Sequence, residues 1–142
     1  MSMPKPPEAP SRTWSYGLLI PHDPRAVGVV RATIRSILRA ARLNCIVDTV
    51  ELLASEIVTN AYRNSPTDTY VTMERTPDDF RVTVWDHGPT VPGLARAEAP
   101  PDAYAESGRG LPLVDACADE WGVRDYPHGK AVWFHLAPKG DA

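Results

Sequence analysis

The sequence is short of cysteine, of net basic charge and of long apolar runs, and each shortage removes a class of function. Cys45 and Cys117 are the two cysteines in 142 residues. They cannot build a disulfide framework and form no Cys-x-x-Cys pair, so zinc ribbons and dithiol redox chemistry lack their ligands. A reducing cytoplasm is the expected compartment. Fifteen Lys and Arg against eighteen Asp and Glu leave a net charge of -3. No global positive field gathers nucleic acid or anionic lipid. No apolar run approaches the roughly 18 residues that cross a bilayer, and the N-terminus lacks the basic-then-apolar pattern of a secretion signal. The phosphate-loop pattern Gly-x-x-x-x-Gly-Lys-[Ser/Thr], the zinc pattern His-Glu-x-x-His and the nucleophile elbow Gly-x-Ser-x-Gly are all missing, which removes the residues those chemistries need. His22, His87, His128 and His135 show no close metal-ligand spacing.

Proline, by contrast, is abundant: there are fifteen, four of them in the first ten residues. With almost nothing there to bury, residues 1–12 are expected to be a disordered leader and 139–142 a flexible tail, leaving 13–138 as one domain. Trp14 to Ile20 reads as a first strand, placed at an edge by Pro21. Asp23-Pro24 reads as a helix entry with Asp23 as cap. Val27, Val30, Ile34, Ile37, Leu38 and Ala41 recur every three or four residues and predict a helix over 26–43. Its other side carries Arg31, Arg35 and Arg39, expected to face solvent and available to an acidic partner.

A second helix is predicted over 47–63, with Val50, Leu53, Ala54, Ile57, Val58 and Ala61 as its apolar stripe. Strands follow over 69–75 and 80–85, and Pro77-Asp78-Asp79 reverses the chain between them. Gly93 to Ser107 lacks periodicity, and a loop of that length is a functional lid or disordered. A short helix begins near Pro112, and strands over 121–125 and 130–136 close the chain as a hairpin. One amphipathic helical layer can cover one face of a sheet, so the fold expected is a two-layer α/β sandwich of the α+β kind: a mixed, mainly antiparallel sheet with helices on one face.

Three segments carry candidate chemistry. Glu56 and Asn60 are one turn apart and Asn64 continues the line. A carboxylate can take a proton from a hydroxyl nucleophile, and an amide oxygen can ligate magnesium. Spacing alone leaves an ordinary polar helix face open. Asp86 follows an apolar strand and precedes a glycine turn. There it could accept an adenine amino hydrogen, with Gly88 allowing close approach of the base, or simply serve chain reversal. Gly108-Arg109-Gly110-Leu111 joins the long loop to the third helix, where small residues and backbone N–H groups suit phosphate.

Taken together, these segments resemble the histidine-kinase-like, or Bergerat-fold, ATPase superfamily, and within it the small bacterial anti-sigma factor and serine/threonine kinase branch. The resemblance rests on Glu51-Leu52-Leu53-Ala54-Ser55-Glu56-Ile57-Val58-Thr59-Asn60-Ala61, Asp86-His87-Gly88, Ser107-Gly108-Arg109-Gly110-Leu111-Pro112-Leu113-Val114, and Trp121-Gly122 with Gly129-Lys130-Ala131-Val132-Trp133-Phe134. These come in the family's order and span about 14–138. The resemblance implies ATP and Mg2+ between the Glu56 helix and the lid. It makes Glu56 the general base, Asn60 the magnesium ligand and Asp86 with Gly88 the adenine box, and it places Gly108, Arg109, Gly110 and Leu111 beside the phosphates. Asn64 stands where the family often has histidine, and Ala131 where it often has threonine near adenine.

The expected function is an ATP-binding, cytoplasmic anti-sigma regulatory factor with serine/threonine kinase activity toward an anti-anti-sigma protein. Partners are that protein, a sigma factor, or both, without direct nucleic-acid or membrane binding, and a homodimer stays open. Two alternatives remain at this point: a non-catalytic module that uses ATP to sequester a sigma factor or related regulator, and a structural regulator with a degraded nucleotide pocket.

Overall fold

A computed structural model describes residues 13–87 and 111–138. The elements run β1 (Trp14–Ile20), α1 (Ala26–Ala40), a 3-10 turn (Asn44–Ile46), α2 (Val47–Asn64), β2 (Thr69–Arg75), β3 (Phe80–Asp86), α3 (Leu111–Cys117), β4 (Glu120–Tyr126) and β5 (Gly129–Leu136). This is the order predicted from periodicity and breakers. The proposed lid, 93–107, lies outside the described residues.

The five strands form one sheet in the order β1-β2-β3-β5-β4. Every pairing among them is antiparallel, so the mixed component expected of the sheet is not seen among the described strands. Side chains alternate between the two faces of a strand. Val71 and Met73 on β2, Phe80, Val82 and Val84 on β3, and Val132, Phe134 and Leu136 on β5 join Val30, Ile34 and Leu38 of α1 and Val50, Leu53 and Ile57 of α2 in one buried core. The opposite face carries Leu19, Tyr70 and Trp85, all exposed and aligned by direct cross-strand pairing. The sheet is therefore covered on one side, which is why β2 alternates in burial along its length and β3 does so except at Thr83, which is buried as well. Among the described residues no helix is long and apolar enough to cross a membrane.

The entry and exit of α1 differ from the expectation in instructive ways. Asp23 Oδ1 accepts the Arg25 backbone N–H at 2.8 Å, and the Asp23 carbonyl accepts the Ala26 N–H at 2.9 Å. The aspartate thus shapes the turn into the helix from two residues before the N-cap position, which Arg25 occupies. At the other end α1 stops at Ala40, not at 43. Arg42 takes a left-handed backbone, φ 62°. The N–H groups of Leu43 and Arg42 return to the carbonyls of Leu38 (2.8 Å) and Arg39 (3.1 Å), the two bonds of a Schellman cap. Leu43 is buried beyond the cap, so the apolar period runs past a helix that has already ended. Holding a non-glycine residue in this conformation costs about 1–2 kcal/mol.

The arginine stripe of α1 faces outward as expected, and two of its members also meet an acid of α2. Arg35 pairs with Glu51 of α2 through an Nη2–Oε1 hydrogen bond, and Arg31 Nε lies 3.6 Å from Glu51 Oε2. The Arg35 guanidinium is held above its ordinary pKa by that hydrogen bond first and by the carboxylate charge second. Two of the three arginines therefore tie α1 to α2 from their outer flank, while Arg31 and Arg39 are both exposed and Arg35 is half-buried.

Candidate functional site

The α2 helix sorts its three polar residues by depth. Asn60 is buried, Glu56 half-buried and Asn64 exposed, because four-residue spacing turns the line slowly around the helix, away from the apolar stripe at one end. Asn64 Nδ2 donates to the Asn60 carbonyl at 2.9 Å and to Asn60 Oδ1 at 3.1 Å. That second bond orients the Asn60 amide so that Oδ1 is its acceptor, with a further lone pair for another donor or a hard cation. The two asparagines are thus brought together, and Glu56 lies one turn before them.

The last turns of α2 sit over one end of the sheet. Val58 and Tyr62 share a small cavity with Ile20, His22 and Thr69. His22 stacks on Tyr62 with ring centroids 4.3 Å apart, and its Nε2 lies 3.0 Å from the Tyr62 carbonyl. Tyr70 and Trp85 are cross-strand partners, so Thr69 and Asp86 occupy this same end. Asp86 closes β3 on the helix-covered face, in phase with Phe80, Val82 and Val84.

Asp86 has a partner that sequence reasoning did not assign. Lys130 Nζ lies 3.2 Å from Asp86 Oδ1, with side-chain exposures of 3% and 1%. The two are direct cross-strand partners on β5 and β3. Gly129 makes this approach feasible, since a Cβ there would overlap the Asp86 carbonyl oxygen. Lys130 falls in phase with the buried Val132 and Phe134, and that charged residue on an apolar alternation was the signal available in the sequence. Register separates Ala131 from Asp86. Ala131 pairs with Trp85 and Arg124, so its side chain belongs to the opposite face of the sheet, and Lys130 shares the face of Asp86. A cavity of about 190 Å³, lined in part by Trp85, Asp86, His87, Tyr126 and Lys130, opens beside the pair.

Gly88, Gly108, Arg109 and Gly110 lie outside the described residues, and Leu111 opens α3. Among the described residues no three His, Cys, Asp or Glu side chains converge on a metal-sized site. An asparagine-held magnesium needs no such cluster, because Mg2+ keeps several waters and takes phosphate oxygens as ligands. The donor set at this sheet end fits a purine nucleotide with its metal: a buried carboxylate for a base amino group and an oriented amide oxygen for the ion. A family model described as the histidine kinase-like ATPase domain matches residues 20–136, from the last residue of β1 to the last of β5. No curated protein matches the chain.

Proposed function

The chain belongs to the histidine kinase-like ATPase domain family, and on that premise we propose that it binds magnesium-ATP and acts as an anti-sigma regulatory factor that phosphorylates a serine or threonine of an anti-anti-sigma partner. Family membership implies ATP as the ligand, usually with Mg2+. The kinase step, the anti-sigma role and the partners are our reading. The observation that carries it is the buried Asp86 carboxylate at the sheet end over which the last turns of α2 pack.

In this reading Asp86 accepts a hydrogen from the adenine 6-amino group, and Asn60 Oδ1, oriented by Asn64, ligates magnesium. Glu56 receives the proton of the partner's hydroxyl as its oxygen bonds to the terminal phosphorus and the bond to the ADP oxygen breaks. Gly88, Gly108, Arg109, Gly110 and Leu111 enter the proposal through their motif alone. The added phosphate puts charge on the partner's interface and can reverse the complex.

Calorimetry with ATP, with and without magnesium, tests the binding half. Failure of folded protein to bind magnesium-ATP would leave a protein-interaction role only. Phosphotransfer with a cognate partner tests the chemical half. Glu56→Gln is expected to lower the transfer rate by about 10^2 to 10^4 while changing ATP affinity little, and an unchanged rate removes Glu56 as the base.

A further inference from the structure

We propose that the open face of the sheet carries a groove for an extended proline-rich segment, and that residues 4–10 of this same chain are its occupant. The groove lies on the opposite face of the sheet from the Asp86 side chain and α2, so the inference does not depend on the ATP reading above.

The surface is aromatic and narrow. Leu19, Tyr70, Trp85 and Ala131 form one row across four strands by direct pairing, and Leu19, Tyr70 and Trp85 are 64%, 43% and 37% exposed. Tyr126 continues the row, its ring centroid 5.3 Å from that of Trp85. A Cβ at Gly17 would overlap the Tyr70 hydroxyl, so the glycine lets that ring lie down along the sheet. A cavity of about 580 Å³ runs beside Leu19, Pro66, Tyr70 and Trp85, and the one of about 190 Å³ carries on from Trp85 to Tyr126 and Pro127. Two rows further along the strands the same face is charged: Glu74, Arg81, His135 and Glu120 are successive cross-strand partners. The apolar part is thus one row deep. A second copy of the chain would need a broad patch of about 800 Å², whereas an extended peptide covers a single row.

Residues 4–10 have the pattern that suits such a row. Pro4, Pro7 and Pro10 recur every third residue, and a polyproline II helix has three residues per turn, so they share one side. Lys5, Glu8 and Ser11 share another and can stay in water. Aromatic grooves take such segments because the conformation is formed beforehand and little entropy is lost on docking. The reach is sufficient as well. β1 begins at Trp14, at the end of the sheet away from Leu19. Returning from Trp14 to the level of Leu19 takes five strand positions, roughly 17 Å. Pro7 lies seven positions before Trp14, roughly 22 Å at the polyproline rise, and therefore reaches Leu19 and Tyr70. Pro4 is one further turn away, roughly 9 Å. That matches two strand spacings of roughly 4.8 Å and sets it over Trp85 on β3. Tethering holds the segment near the groove at an effective concentration on the order of millimolar, so a weak contact suffices.

The test is fluorine NMR of the full chain labelled with 5-fluorotryptophan, which gives one signal each for Trp14, Trp85, Trp121 and Trp133. Trp85→Phe identifies the signal that reports on the groove. Pro4→Ser together with Pro7→Ser lies outside every described strand and helix. The pair is expected to shift the Trp85 signal toward that of a solvent-exposed indole while leaving the Trp121 signal in place. A Trp85 signal that is the same in the variant and the wild type overturns the proposal. A synthetic peptide of residues 1–12, added to the variant at millimolar concentration, is expected to reverse the shift. A peptide of the same composition without the three-residue proline spacing is expected to leave it, and equal reversal by both overturns the assignment to a proline stripe. A wild-type Trp85 signal that changes on roughly hundredfold dilution shows a second copy on the row and overturns the intramolecular occupant.

Discussion

Glu51 and Asp86 are both buried carboxylates facing cations, one between the two long helices and the other at the end of the sheet. Arg31 and Arg35, which flank Glu51, keep side-chain exposures of 51% and 41%. Water continues to solvate those guanidinium groups, so one carboxylate is desolvated and its attraction to the arginines is screened. Asp86 and Lys130 are sealed together. There the desolvation falls on both ions, and removal of either breaks a buried charge pair. The first arrangement joins α1 to α2 at small cost. The second is costly to maintain in a fold that could have used apolar residues.

The sharpest way to break this contrast is to separate the buried pair. Asp86→Asn and Lys130→Met are each expected to lower stability by about 3–5 kcal/mol in chemical denaturation, and the double variant to recover most of that loss. Two single losses below about 1 kcal/mol that simply add would show that the pair is solvated after all. Asp86→Asn is further expected to weaken ATP binding at least roughly tenfold, and the double variant to remain weak. Stability and affinity then part company, as a base-reading role requires.

A smaller effect is expected at the helix junction. Glu51→Gln should cost about 1–2 kcal/mol, because the arginines it leaves behind regain water. ATP affinity should stay within about twofold, since the substitution is confined to the α1 side of α2. A loss as large as that at Asp86 would erase the distinction between the two regions.

The smallest effect belongs to Asp23 and Arg25, the most exposed pairing of the three. The Arg25 side-chain hydrogen bond, then its backbone N–H, holds the Asp23 carboxyl at about 2, below its ordinary 3.8. A depressed carboxyl contributes stability that is complete above its unfolded value and lost as pH falls through the folded one. The contribution should therefore be constant above about pH 4 and disappear toward pH 2. An NMR titration of Asp23 with its midpoint near the ordinary value would remove the pairing.

Much of the architecture was legible along the chain. Alternation located β2, β3 and β5 to within a residue or so, and the apolar stripe located α2, because these signals repeat over a few residues and their periods differ. The end of α1 was not legible: Leu43 satisfies the helical period, while the left-handed turn at Arg42 lacks the glycine that usually announces it. Glu56, Asn60 and Asn64 were recognisable as a line, yet their different depths depended on how α2 is rolled against the sheet. The phase of Lys130 was visible in its strand. Its partner was not, nor was the opposite facing of Ala131 and Asp86, which depends on the pairing of β5 with β3.

By itself, the sequence determined the order of the elements and the residues that share a face within each, since periodicity, turns and breakers act between near neighbours. Only the tertiary structure decided which acid meets which cation: Glu51 with Arg35 across 16 residues, and Asp86 with Lys130 across 44. A charge takes its partner and its solvation from whatever packing brings beside it, and that distance in space is not encoded in distance along the chain.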